Sequence, residues 1–253
     1  MRTELVFSPS ELLQLLYWKL KYLVSSDSTE YTIGGESVAF ITSSYTEFMR
    51  FIDLVGEEPV VEDLINSMNR TDVFYDIGAN VGTYTCFAAS KSPKGSVIAF
   101  EPEPDNATRL RENLTLNHLD AQVFEVALSD RTGTVDLELT GDQAGEGEHT
   151  IVASGADSDS IEVPTMRGDD IIKKRSLPAP NIIKIDVEGA EFLVLQGLAK
   201  TIEESCRLIY VEVHPTKMLS GSEDQIVSFL EKRGFEIEYI NQRGDEQFLR
   251  ASK

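Results

Sequence analysis

Cysteine is nearly absent from this sequence: Cys86 and Cys206 are the only two among 253 residues. No Cys-x-x-Cys pair and no cluster of cysteine with histidine occurs. That excludes a disulfide scaffold and a structural zinc site of the usual kind, and a reducing, cytoplasmic interior is the expected setting. Long apolar runs are missing as well. Nothing approaches the roughly 18 consecutive apolar residues that a membrane span requires, so no integral membrane segment is expected. The first residues do not read as a secretion signal, because Glu4 and Glu11 stand where a basic region would be and Lys19 and Lys21 interrupt the apolar run. The Asn-x-Thr triplets at Asn69, Asn106 and Asn113 are then read as chance matches to a short glycosylation pattern.

Positive charge is scarce. Forty-three acidic residues against 23 basic ones leave a formal net charge of −20. Such a surface repels phosphate backbones and anionic headgroups, which argues against nucleic acid as a partner and against docking on an anionic membrane. It also repels itself in dilute buffer. A halophile-like surface suited to high salt and an acidic surface in ordinary salt both satisfy this composition.

The chain is long enough to bury a full core as one α/β domain carrying an extension. In the extension, residues 1–70, Ser8-Pro9-Ser10-Glu11 has the form of a capped helix start. The Leu-rich helix that follows would pack on the main domain, on a second copy in a homo-oligomer, or on a membrane surface, the first being preferred given the charge. YTIGGESVAFIT predicts a hairpin around Gly34-Gly35, and EFMRFIDLV and PVVEDLINSM predict two short helices. From residue 71 to 253 the apolar runs DVFYDI, SVIAFE, AQVFEVAL, NIIKID and LIYVEV alternate with helical stretches such as Asp105–Leu116 and Ala190–Leu198. That alternation predicts a doubly wound, Rossmann-like, mostly parallel sheet covered on both faces. Residues 131–167 break the pattern as an insertion of two extra strands joined by a mobile acidic loop, and FEIEYI with EQFLRA predicts a C-terminal antiparallel hairpin.

Ligands of open α/β sheets sit at the carboxyl ends of the strands. YDIGANVG, residues 75–82, leaves the presumptive first strand there. It lacks the GxGxxG of dinucleotide sites and the lysine of a P-loop. It fits acid-x-Gly-x-(Gly/Asn)-x-Gly, the spacing found where S-adenosylmethionine binds: Asp76, Gly78, Asn80 and Gly82, with Ala79 inside the turn. Glu101, ending the second strand ahead of Pro102, is placed to accept the two hydroxyls of a ribose. Asp130, after the third strand, would accept from an adenine amino group or simply open the next turn.

KIDVEGAEFLVLQG closes the set, with Lys184, Asp186, Glu188, Gly189 and Glu191 at one strand exit. Together FYDIGANVGTYT, FEPEPDNATRLRENLTLN, VALSD, KIDVEGAEFLVLQG and YVEVHP, spanning about residues 72–215, resemble the FkbM family of methyltransferases. The resemblance implies a class I methyltransferase fold, S-adenosylmethionine as cofactor, and methylation of a hydroxyl on a sugar, glycoconjugate or similar small molecule. It also implies that Asp76, Gly78, Asn80 and Gly82 form the cofactor loop and that Glu101 holds the ribose. The first 70 residues carry none of it.

An acceptor hydroxyl needs a group to take its proton as the new bond forms. His214, in VEVHP just past the fifth strand, is the leading candidate, and Asp186 is the alternative. Asp186, Glu188 and Glu191 either bind a divalent ion or hold Lys184 and the turn in place. Glu212, on the same strand face as His214, would orient it or touch the acceptor. An NAD-type oxidoreductase and a non-catalytic protein retaining the fold are the competing readings; cofactor binding separates the first and turnover the second.

Overall fold

The computed structural model describes residues 17, 19–23, 25–138, 150–152 and 160–253. The helix start at Ser8–Glu11, His149 and most of the acidic loop lie outside the described residues. Of the Leu-rich segment, residues 19–23 are helical. Tyr22 packs edge-on against Tyr45 and donates to the Ser43 carbonyl, while Leu20 and Leu23 are exposed.

β1 (Ser28–Ile33) and β2 (Glu36–Ile41) form the expected hairpin, turned by Gly34 and Gly35 at φ +58° and +82°. The next segment differs from expectation. It runs as one 23-residue helix, α1 (Tyr45–Ser67), with Pro59 inside it. A proline there costs about 3 kcal/mol. Burial of Val60, Val61, Leu64 and Ile65, worth roughly 1.5–3 kcal/mol each, outweighs that cost and keeps the helix whole. Its start is fixed by a capping box between Ser44 and Glu47, and buried Glu47 also pairs with Arg109 at 2.7 Å.

The main sheet has seven strands: β3 (Val73–Ile77), β4 (Ser96–Phe100), β5 (Gln122–Phe124), β10 (Ile182–Ile185), β11 (Leu208–Val213), β12 (Glu236–Arg243) and β13 (Glu246–Ser252). Their order is β12-β13-β11-β10-β3-β4-β5, with β13 antiparallel to both of its neighbours. The order reverses between β3 and β10, which is where this fold class opens its ligand crevice. Side-chain parity divides the core. Phe74, Ile182, Leu208 and Tyr210 face α1, α2 (Thr83–Lys91), α3 (Pro104–Leu116) and the β1–β2 hairpin. Tyr75, Ile77, Ile183, Ile185 and Ile209 face α4 (Gly168–Arg175), α5 (Glu191–Gly197), α6 (Ala199–Ser205) and α7 (Glu223–Glu231). Residues 28–68 thus share a core with the sheet.

AQVFEVAL is two strands, not one. The Val126 N–H turns back onto the Phe124 carbonyl at 3.0 Å, ending β5 and sending β6 (Ala127–Ser129) into a second sheet. There it joins β7 (Gly133–Glu138), β8 (Thr150–Val152) and β9 (Ser160–Arg167) in the order β6-β9-β7-β8. Two of the Asn-x-Thr asparagines are buried. Asn113 bridges the Ile41 N–H and the Val81 carbonyl, and Asn106 is fully enclosed on α3.

Candidate active site

Register builds the site before any ligand is considered. In the parallel ladder Asp76 on β3 lies beside Lys184 on β10, and Lys184 beside Tyr210 on β11. Two residues further on, the same parity puts Asp186 abreast of Glu212. Two more bring His214 to the level of Glu246 at the start of the antiparallel β13. Asp76, Lys184, Asp186, Glu212 and His214 therefore line one face at the carboxyl edge of the central strands.

Asp76 is fully buried and accepts from the Thr85 hydroxyl at 2.6 Å. Burial raises its pKa, and the Lys184 ammonium at 3.6 Å works against that rise. Lys184 also donates to the Gly78 carbonyl and to Asp186 Oδ2, both at 3.1 Å, and lies over the Tyr84 ring. Burial alone would lower the lysine; Asp186 and Asp76 hold it above its usual range instead.

The glycine turn is sterically determined. Gly78, at φ +77°, passes so close to the exit of β10 that a Cβ would lie 1.7 Å from the Asp186 carbonyl oxygen. A Cβ on Gly82 would meet Leu110 at 2.7 Å. Asn80 adopts φ +49°, a conformation that asparagine tolerates better than most residues. Most of the loop's donors are used internally. Gly78 and Ala79 donate to the Phe100 carbonyl, Asn80 to Glu101 Oε2 at 2.7 Å, and Val81 to the Asn80 side chain. No side chain caps α2, so the leading N–H groups of that helix, more than those of the turn, remain for an anionic ligand group.

Glu101 is buried and accepts a backbone N–H on each oxygen, from Asn80 at 2.7 Å and from Glu103 at 2.9 Å. Burial pushes it up to about 7 despite those two donors. A carboxylate accepts more than one hydrogen bond per oxygen, so capacity for a diol remains. Pro102 follows it, half-buried. Asp130 sits after β6 in the second sheet, where it accepts from Ser129 at 3.2 Å; no described contact ties it to the glycine turn.

The acid-rich exit of β10 meets His214. His214 Nδ1 lies 2.9 Å from Glu191 Oε1, an acceptor that also takes the Gly189 N–H, so Nδ1 is the donor. Nε2 makes no hydrogen bond, although Glu188, Asp186, Glu212 and Glu246 place oxygens 3.4–3.9 Å from it. Burial would lower this imidazole. The bond to Glu191 and the charges of Asp186 and Glu188 outweigh burial and carry it up to about 9. The expectation that His214 titrates near neutrality is thereby corrected: the surrounding acids favour the protonated ring, and any ligand at Nε2 would have to displace that proton. Glu188 has φ +53°, an uncommon left-handed conformation for a glutamate, and it pairs with Lys217 at 2.8 Å. Burial pushes Glu212 up to about 10, helped by the charges of Asp186 and Glu57 and opposed by Arg243 at 3.0 Å.

Arg243 and Glu246 come from the C-terminal hairpin and Glu57 from α1; sequence reasoning missed all three. Arg243 pairs with Glu57, Glu212 and Glu246 together. The single available signal was the antiparallel register, which brings the start of β13 to the end of β11.

A glycine turn at the sheet's switch point, a carboxylate at the next strand end and a bare helix N-terminus beside them define a nucleoside-binding α/β enzyme of the class I methyltransferase type. The particular family follows from comparison: the methyltransferase FkbM domain matches residues 76–237, and the chain belongs to that family. Its relatives include the hexuronic acid methyltransferase AglP of Haloferax volcanii, 32% identical over 224 residues and covering 86% of this chain and 85% of that protein. The 31-O-demethyl-FK506 methyltransferase FkbM of Streptomyces tacrolimicus is 28% identical, covering 81% and 87%. The 2-O-methyltransferase NoeI of Sinorhizobium fredii is 31% identical over 177 residues, covering 64% and 72%. The crystal structure of the methyltransferase FkbM from Methylobacillus flagellatus superposes with a TM-score of 0.55 at 17% identity, over 82% of this chain and 54% of that one, a likeness of fold.

The protein is an S-adenosylmethionine-dependent methyltransferase. When bound, that cofactor supplies a methyl group activated on a sulfonium. The residues present fit it: the Gly78 turn leaves room only for backbone, Glu101 retains acceptor capacity for a ribose, and Asp76 and Asp186 suit its cationic end. Among the described residues, no helix is long and apolar enough to cross a membrane.

Proposed function

We propose that this enzyme methylates a hydroxyl oxygen of a sugar or glycoconjugate. The observation that carries the reading is the carboxylate-lined exit of β10 and β11, held against the cofactor turn by the Gly78–Asp186 contact. Two relatives whose names specify a hexuronic acid acceptor and 2-O-methylation support it. Glu101 would hold the ribose of the cofactor and the start of α2 its methionine carboxylate, while Asp76 with Lys184 sets the charge balance beneath the turn. The acceptor enters over Asp186 and Glu188, which are partly open to solvent while Glu191, Glu212 and His214 are enclosed. With the cofactor bound, the acceptor oxygen would bond to the methyl carbon as the sulfur–methyl bond breaks to leave a neutral thioether; Asp186 and Glu188 would take the hydroxyl proton, and holding both partners in line would supply most of the rate. Two buried free thiols, Cys86 and Cys206, favour a reducing cytoplasmic setting.

The test is a screen of glycans, glycolipids and uronic acid glycosides with methyl-labelled S-adenosylmethionine, with the product's methyl position read by mass spectrometry. A methyl ether on a sugar is the expected product. Label confined to nitrogen, carbon or a carboxylate ester would reject the O-methyl reading.

A further inference from the structure

The mouth of this site holds a buried nitrogen that the surrounding protein groups leave without a hydrogen bond. His214 is 1% exposed, its Nδ1 is fixed by Glu191, and its Nε2 is a buried nitrogen without a hydrogen bond. It is aimed among carboxylates. Asp186 Oδ1 lies 3.8 Å from it and Glu212 Oε1 3.9 Å, and ligand atoms of these three residues all fall within 4.8 Å of one another. Coordination bonds of about 2.1 Å set neighbouring ligand atoms about 3.0 to 4.2 Å apart, so only a small contraction would close this group on an ion.

Two further features fit. Asp186 accepts from Lys184 on Oδ2, and its Oδ1 is the oxygen that lies 3.8 Å from His214 Nε2. A histidine whose second nitrogen donates to a carboxylate has the orientation that metal-ligating histidines adopt, and Glu191 supplies that carboxylate here. Arg243 pairs with Glu212 Oε1 at 3.0 Å from a half-exposed position, so an ion would compete with it for that oxygen.

We infer that Asp186, Glu212 and His214 bind one divalent first-row cation, which presents the acceptor hydroxyl to the donor. One nitrogen with two carboxylates suits Mn2+ and its neighbours better than a wholly oxygen-preferring ion. Glu188, 3.4 Å from Nε2, stands beside the ion and receives the acceptor's proton. The inference rests on the methyltransferase reading and specifies how its acceptor is held.

The experiment uses the full chain, freed of metal by chelator, in 1 M KCl so that binding to the acidic surface is screened. Free Mn2+ is followed by electron paramagnetic resonance during titration, and S-adenosylmethionine binding is measured calorimetrically on the same samples. One Mn2+ per chain is expected, with Asp186→Asn, Glu212→Gln and His214→Gln each weakening it at least about tenfold, while circular dichroism confirms folding. Turnover of a screened acceptor should fall with chelator and return with Mn2+. Wild-type protein that binds S-adenosylmethionine but takes up no stoichiometric Mn2+ overturns the cation site and leaves the methyltransferase reading standing; so does Mn2+ binding that all three variants retain. Wild-type protein that binds neither would count against the enzyme reading itself.

Discussion

Replacing Glu101 with Gln isolates the electrostatic cost of the ribose site. The carboxyl is buried, and in the folded chain it holds its proton up to about 7 against an ordinary 4.5. Between those values the native state binds a proton that the unfolded chain has released, so stability falls as pH rises and the loss is complete above 7. The difference corresponds to about 3 kcal/mol. Glutamine carries no such titration, but its amide can accept only one of the two N–H groups, from Asn80 and Glu103, that the carboxylate now satisfies. The lost partner costs about 1–3 kcal/mol at every pH. Urea unfolding at steps from pH 4.5 to 8.5 should therefore show Glu101→Gln less stable than wild type at the acid end and nearly level with it at the alkaline end. Affinity for S-adenosylmethionine should move the other way, falling about 10- to 100-fold in the variant at pH 8, where the ionised carboxylate would accept from the ribose. Stability curves that run parallel across this range would refute the buried-carboxylate reasoning.

Gly78→Ala should cost more than about 4 kcal/mol, because its methyl would overlap the Asp186 carbonyl and the backbone there has φ +77°; a thermal melt close to wild type would show that the contact is not obligatory. His214→Gln should retain S-adenosylmethionine binding while turnover falls about 10- to 100-fold through loss of a cation ligand, and near-normal turnover would remove the ring from the mechanism. Unfolding followed from dilute buffer to molar KCl should show stability rising with salt, as screening relieves the repulsion of a −20 chain; a flat profile would leave the acidic surface without that role.

The parallel sheet and its exits were legible because each strand is a short apolar run whose polar residues fall in its last turn of alternation or just past it. Asp76, Glu101, Lys184, Asp186 and His214 could be placed at one edge from this pattern alone. What pattern could not supply was the partner of each group. Arg243 and Glu246 reach the site because β13 runs backward beside β11, and Glu57 because α1 continues through Pro59. Tertiary burial, not local propensity, decided that helix. The break between β5 and β6 escaped notice because Gln122–Ser129 contains no glycine or proline to mark it, and one tight turn at Glu125 divides it between two sheets. The charge state of His214 was likewise invisible, since it depends on acids brought together from separate segments.

The contact between Gly78 and the Asp186 carbonyl acts as a mechanical stop. The glycine turn and the segment leaving β10 approach through backbone atoms at the ends of two hydrogen-bonded neighbouring strands, so the gap between them is gauged by the sheet itself. The spacing between the glycine turn and the exit of β10 is thus set by one residue that has no side chain, and any side chain there would have to push two neighbouring strand ends apart.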